Sequence, residues 1–159
     1  MAETVETHVH PVAARLKAWD AGAVSNTEEF RGELTVTVPR EQVPRVAAFL
    51  RHDPELEFDF LDDLTATDHF PSEPRFAVVY HMLSIRHRHT VRLQTWTSGT
   101  NPSVPSVVTV WPTANWHERE VFDLFGIRFD GHPEMTRILL PLDWEGHPLR
   151  KDYPTEGHR

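Results

Sequence analysis

Apolar and polar residues alternate along this chain with two different periods, and the changes of period mark its elements. Val12, Leu16 and Trp19 recur at helical spacing, which predicts a helix over Pro11–Ala21 that Gly22 stops. Ala23–Glu29 and Glu33–Val38 are short, β-branched pieces around Gly32 and read as a hairpin. In the second piece Leu34, Val36 and Val38 alternate with Glu33, Thr35 and Thr37, giving one buried and one wet face. Val43, Val46, Ala47 and Leu50 form a helical stripe over Glu41–His52. Pro44 is tolerated only in the first turn of that helix, and Asp53–Pro54 ends it. Glu57–Leu64 opens a third strand with Phe58, Phe60 and Leu64 on one side, running into an acidic tract of Asp59, Asp62, Asp63 and Asp68. Phe76–Ser84 and His89–Thr97 are two further strands joined by a tight basic turn.

The order is therefore α-β-β-α-β-β-β. It predicts an α+β two-layer sandwich: a mixed sheet with helices on one face, plus an extended C-terminal segment. Asn101–Pro102 and Pro105 break the sheet. A third helix is predicted over Asn115–Phe125, with Trp116, Val121, Leu124 and Phe125 as its apolar surface. Asn115 is placed to cap it and Glu118 to complete a capping box, while Gly126 is placed to end it in the left-handed conformation. From Ile127 onward Pro and Gly interrupt the chain every few residues. Such a tail cannot form a core of its own and must lie on its own sheet or on another protein. The chain reads as one domain over 1–159, with an α+β core over 1–100 and a helix plus docking segment over 101–159.

Composition narrows the functions. No apolar run approaches the ~20 residues of a membrane span. The first residues, Met1–Glu6, are acidic where a secretory signal would be basic, so a place on the cytosolic side is expected. There is no cysteine, which removes disulfides, thiol catalysis and the usual ligands of iron–sulfur clusters. The formal charge of −8 repels phosphate backbones, and the one dense basic stretch, Arg86–His89 with Arg92, is too short to support nucleic-acid binding.

Candidate chemistry is sparse. His81 and His89, expected on paired strands near His87, raise a metal site and with it a stand-alone hydrolase, although such a site needs three or four groups in tight geometry. His117–Glu118 begins like a zinc-protease helix, but Val121 stands where the second His is required. Gly126 and Gly131 have phosphate-loop spacing, yet His132 and Pro133 follow where Lys and Ser or Thr are needed. Glu118, Glu120, Asp123 and Asp130 are interleaved with Arg119, Arg128 and Arg137, which favours an ion-pair network over an acid/base pair. No catalytic, cofactor-binding or metal-binding residue is expected, and the profile suits an assembly subunit.

The stretch Ala114–Ile127, Ala-Asn-Trp-His-Glu-Arg-Glu-Val-Phe-Asp-Leu-Phe-Gly-Ile, resembles the hallmark of the C subunit of respiratory complex I, the 30 kDa-type peripheral-arm family of NADH–quinone oxidoreductase. The resemblance runs on through Phe129, Gly131-His132-Pro133, Arg137-Ile138-Leu139 and Trp144 to Gly146-His147-Pro148-Leu149-Arg150-Lys151-Asp152-Tyr153-Pro154. Upstream, Tyr80–Ser84 and Phe58–Asp68 are similar as well. It implies a non-redox structural subunit supporting electron transfer from NADH to quinone coupled to proton translocation. FMN and iron–sulfur clusters are then expected in other subunits, and none in this chain. The implied partners are chiefly the quinone-site D subunit, with the B and I subunits. Membrane association is implied only through the complex, on the cytoplasmic side. Carried onto this sequence, the interface motif is Glu118, Arg119, Glu120, Asp123, Arg137, Arg150, Lys151 and Asp152. Gly126, Gly131, His132, Pro133, Gly146, Pro148, Leu149 and Tyr153 belong to it too. The chain stops soon after Pro154, in extent similar to the chloroplast and cyanobacterial J subunit, which leaves ferredoxin-, F420- or hydrogenase-linked relatives as the alternative. His147 before Pro148 leans toward the respiratory type.

Overall fold

The computed structural model describes residues 10–157, so the acidic stretch Met1–Glu6 lies outside the described residues. Helix α1 (Pro11–Asp20) buries Val12, Ala13 and Leu16, and Gly22 lies in the single 3-10 turn, Ala21–Ala23, that follows it. Strands β1 (Asn26–Phe30) and β2 (Glu33–Thr37) form the expected hairpin, with β1 starting three residues later than its polar–apolar pattern suggests. The turn fixes where they pair. Phe30 stands opposite Glu33, and the two residues between them, Arg31 and Gly32, both take positive φ, 53° and 81°. That mirror-image turn matches the twist of the strands it joins and sets the register. Helix α2 (Val43–His52) presents the predicted stripe inward with Pro44 in its first turn.

Strands β3 (Phe60–Asp68), β4 (Phe76–Ser84) and β5 (His89–Thr97) complete a five-stranded sheet of order β1-β2-β5-β4-β3. The pairing of β2 with β5 is parallel and the other three are antiparallel, so the sheet is mixed as expected. Val78, Tyr80 and Met82 of β4 and Val91 and Leu93 of β5 share one face. Apolar side chains of α1, α2 and helix α3 (Ala114–Phe125) join them in one continuous core. The expectation for β3 fails in its first half. The strand begins at Phe60 rather than Glu57, and Phe60 is exposed while Phe58, ahead of the strand, is buried. The register shifts between Leu61 and Asp63, so Asp62 is an extra residue and Leu61 and Leu64, three apart, both face inward.

Two three-residue strands, β6 (Ser103–Pro105) and β7 (Arg128–Asp130), pair in parallel where sequence suggested only a break. They bring Val104, Ile127 and Phe129 into the core. Trp111 closes it, donating its indole N–H to the Phe58 carbonyl at 3.0 Å. Among the described residues beyond 130, the tail adds only the half-buried Met135 to this apolar body.

Candidate functional site

The motif converges on helix α3. Its apolar stripe, Ala114, Val121 and Phe125, packs inward, whereas Trp116 is exposed. The predicted capping box does not form. Thr113 precedes the helix without a side-chain cap, and the Glu118 carboxyl is occupied elsewhere. It is fully buried, accepting the Ser106 hydroxyl at 2.7 Å and the Val107 N–H at 2.7 Å. Glu118 therefore fastens the helix to the connection after β6.

The last carbonyls of an α-helix have no partner inside it. In α3 the tail supplies nearly all of them. Gly126, at φ 75°, donates its N–H to Phe122 O at 2.8 Å, the predicted left-handed stop. Asp123 O accepts from His147 Nδ1 at 2.9 Å and from Arg137 Nη1 at 3.2 Å. Leu124 O accepts from Leu149 N at 3.0 Å, and Phe125 O from Arg150 Nε at 2.6 Å. A carbonyl only accepts, so the proton of His147 is on Nδ1. Burial, with the charges of Arg150 and Arg137, holds this imidazole below its usual pKa despite that bond. Arg137 and Arg150 also place positive charge at the negative end of the helix dipole. The fit is tight at Gly126: a Cβ there would stand 2.6 Å from His147 Cδ2 and 2.7 Å from Arg150 Nη2.

Asp123 is the centre of the same arrangement. One carboxylate oxygen accepts the N–H groups of Ile138, Leu139 and Leu140 at 3.1, 2.8 and 2.9 Å. The other accepts Arg137 Nη1 at 2.7 Å. Burial alone would raise this fully buried acid. The backbone donors and Arg137 outweigh it and hold Asp123 below the usual carboxylate range. Arg137 Nη2 also reaches the Trp144 and Gly146 carbonyls, at 2.9 and 3.0 Å.

A second clamp lies at the end of β3. Arg75 is buried and forms a two-pronged pair with Asp68, at 2.8 and 2.8 Å, and another with Asp152, at 2.7 and 3.1 Å. Lys151 N donates to Asp68 at 2.8 Å. The Arg75 guanidinium holds Asp68 well below its ordinary value.

The structure thus brings together Asp123, Gly126, Arg137, Gly146, Leu149, Arg150, Lys151 and Asp152. Glu118 stands apart, turned into the core, and Glu120 is exposed. Arg119 lies over the Trp116 ring and donates to the Thr136 and Arg137 carbonyls at 3.1 and 3.2 Å. Gly131 (φ 87°) turns the chain after β7. His132 then bonds the Asn115 carbonyl at 3.1 Å, Pro133 is exposed, and Pro148 is half-buried. Leu139, Leu142, Trp144 and Leu149 point outward. Trp144 and Tyr153 line a shallow recess of about 500 Å³ with Asp143, Glu145 and Glu156. Sequence reasoning left Asp68, Arg75 and His147 out of the site. The signal for Arg75 was a lone cation at the head of an otherwise apolar strand.

The histidine site is not assembled. His81 pairs with Arg92 and His89 with Ser84, positions of opposite parity, so the sheet puts them on opposite faces. His89 stacks on Phe58 and bonds the Leu56 carbonyl, and His87 bonds the Pro54 carbonyl. Among the described residues no three His, Asp or Glu side chains are grouped to hold a metal.

Comparison with known proteins gives a consistent picture. Residues 36–159 match the family described as respiratory-chain NADH dehydrogenase, 30 Kd subunit. Over 143 residues the chain is 55% identical to the C subunit of NADH-quinone oxidoreductase from Roseiflexus castenholzii, an alignment covering 90% of this chain and 82% of that one. The trypsin-resistant fragment of Nqo5 is similar in structure, with 33% identity and a TM-score of 0.66 over 76% of this chain and 96% of that one. A chain of the membrane-bound sulfane sulfur reductase, an archaeal respiratory membrane complex, reaches a TM-score of 0.77 at 23% identity over 91% of this chain and 84% of that one, a likeness of fold alone.

Proposed function

Because the chain belongs to the respiratory-chain NADH dehydrogenase 30 kDa subunit family, we propose that it braces the peripheral arm of an NADH–quinone oxidoreductase without carrying electrons itself. In this reading NADH is oxidised at FMN and electrons pass along iron–sulfur clusters in other subunits, ending on quinone with coupled proton translocation. The chain has no cysteine with which to hold a cluster. Its partners are other members of the complex, chiefly the quinone-site D subunit, with the B and I subunits. It meets the membrane through them, on the cytoplasmic side. Among the described residues no helix is long and apolar enough to cross a membrane.

One observation carries the docking role. The tail directs its polar groups to its own domain and turns Leu139, Leu142, Trp144 and Leu149 to the outside. Exposed apolar side chains of this size on a segment fixed from behind mark a contact surface. The docking segment of 101–159 then divides its motif. Asp123, Gly126, Arg137, Arg150 and Asp152 set the shape, while Glu120, Pro133, Leu149 and Lys151 face the partner.

Leu142→Asp tests this. Leu142 is 82% exposed, so the variant should unfold like the wild type, within about 0.5 kcal/mol. On native gels of membranes the assembled complex should be depleted, with turnover per remaining complex near normal. Full assembly with collapsed turnover would mean that this surface acts in the reaction instead.

A further inference from the structure

Glu118 and Tyr80 are not part of the docking surface. Both are fully buried, on α3 and β4, and the Tyr80 hydroxyl has no hydrogen-bond partner. We propose, independently of any role in assembly, that Glu118 is a proton-binding site inside the fold, whose occupancy sets how firmly α3 is fastened to the connection after β6.

The geometry assigns the proton to one oxygen. Oε1 faces the Val107 N–H, which can only donate, so Oε1 stays an acceptor. Oε2 faces the Ser106 hydroxyl, which can donate or accept. With the carboxyl ionised, Ser106 donates to Oε2. With it neutral, Oε2 carries the proton and donates to Ser106 Oγ, which also accepts from Val108 N at 3.2 Å. On release the O–H bond at Oε2 breaks, the electron pair stays on the carboxylate, the proton leaves to water, and the Ser106 hydroxyl turns round.

Among the described residues no cation pairs with Glu118 to balance the charge that release would create. Asp63 of β3 lies 3.7 Å from His117 on the flank of the helix. Arg119 turns to the tail, and Glu120, Arg128 and Asp130 are exposed. The Tyr80 phenol feels Glu118; burial first, and then that charge, raise it well above its ordinary value. Burial likewise outweighs the two donors at Glu118 and pushes its carboxyl up to about 7.

An acid whose pKa is higher folded than unfolded contributes stability that is complete below the unfolded value and is lost as pH rises through the folded one. Between 4.5 and about 7 the unfolding constant of the full chain should rise on the order of a hundredfold through this group. His89 and His147, both held low by burial, act in the opposite direction, so the readout is the difference between proteins rather than the bare profile. Glu118→Gln copies the neutral acid. Denaturant titrations at pH 5, 6, 7 and 8 should show its stability gaining on wild type as pH rises. A constant difference across that range would overturn the proposal. Carbon NMR of the glutamate carboxyls in folded wild type gives a second reading that survives a misfolded variant. One carboxyl should titrate near neutrality, and a set that all titrate below pH 5 would sink the idea.

Discussion

The sheet with its helices and the tail beyond residue 130 are held by different physics. The first is fixed by apolar burial: side chains of three helices and of strands β2 to β5 meet in one core. The second contributes almost nothing to that core and is fixed by directed bonds to the end of α3, to Asp123 and to the Asp68–Arg75 pair. Burial is non-directional and tolerates exchange of one apolar residue for another of similar volume. Directed bonds to carbonyls and carboxylates demand particular donors at particular places. That difference explains why a segment with no hydrophobic period can still have a defined path. It also explains why Leu139, Leu142, Trp144 and Leu149 remain outside.

Substitutions on each side should separate the two. Trp111→Ala removes a buried ring and its bond to the Phe58 carbonyl. It should cost about 3–5 kcal/mol and shift the whole unfolding transition in urea. Asp123→Asn keeps the volume but removes the charge that Arg137 and three backbone donors share. The expected loss is about 2–3 kcal/mol, seen by hydrogen exchange at residues 138–140 and 149 while protection in β4 and β5 stays near wild type. Equal loss across the sheet would erase the distinction between the two regions. Gly126→Ala should cost roughly 1–2 kcal/mol through its left-handed backbone. Its Cβ would also push His147 and Arg150 aside, so their NMR signals should move more than those of Val78 or Leu93.

Legibility followed the same division. β2, α2, β4 and β5 could be read because one face of each is buried and its period survives in the residues. β3 was misread where the extra residue Asp62 breaks the alternation, so Phe60 was placed inside. β6 and β7, three residues each, are too short to leave a period. Gly126 was legible as a left-handed stop, but the predicted cap at Glu118 was not what forms, because the pattern that suggests a capping box says nothing of the distant Ser106 and Val107. The charged network was expected around α3, yet its partners lie 14 to 25 residues downstream in sequence. No local pattern encodes such pairings. A need for donors at the carbonyl end of α3, read together with the His and Arg residues of the tail, was the available clue.

The capping of α3 by the tail has a consequence for the chain during its synthesis. Domains are made and begin to fold from the N-terminus. The strands from β1 to β5 and all of α3 leave the ribosome before residues 137–150 do. Until those residues arrive, Asp123 is a buried-to-be acid without its arginine, and the carbonyls of Asp123, Leu124 and Phe125 face water. Until then the nascent chain carries an unfinished helix end. Residues 137–150, made after α3, are the ones that close it.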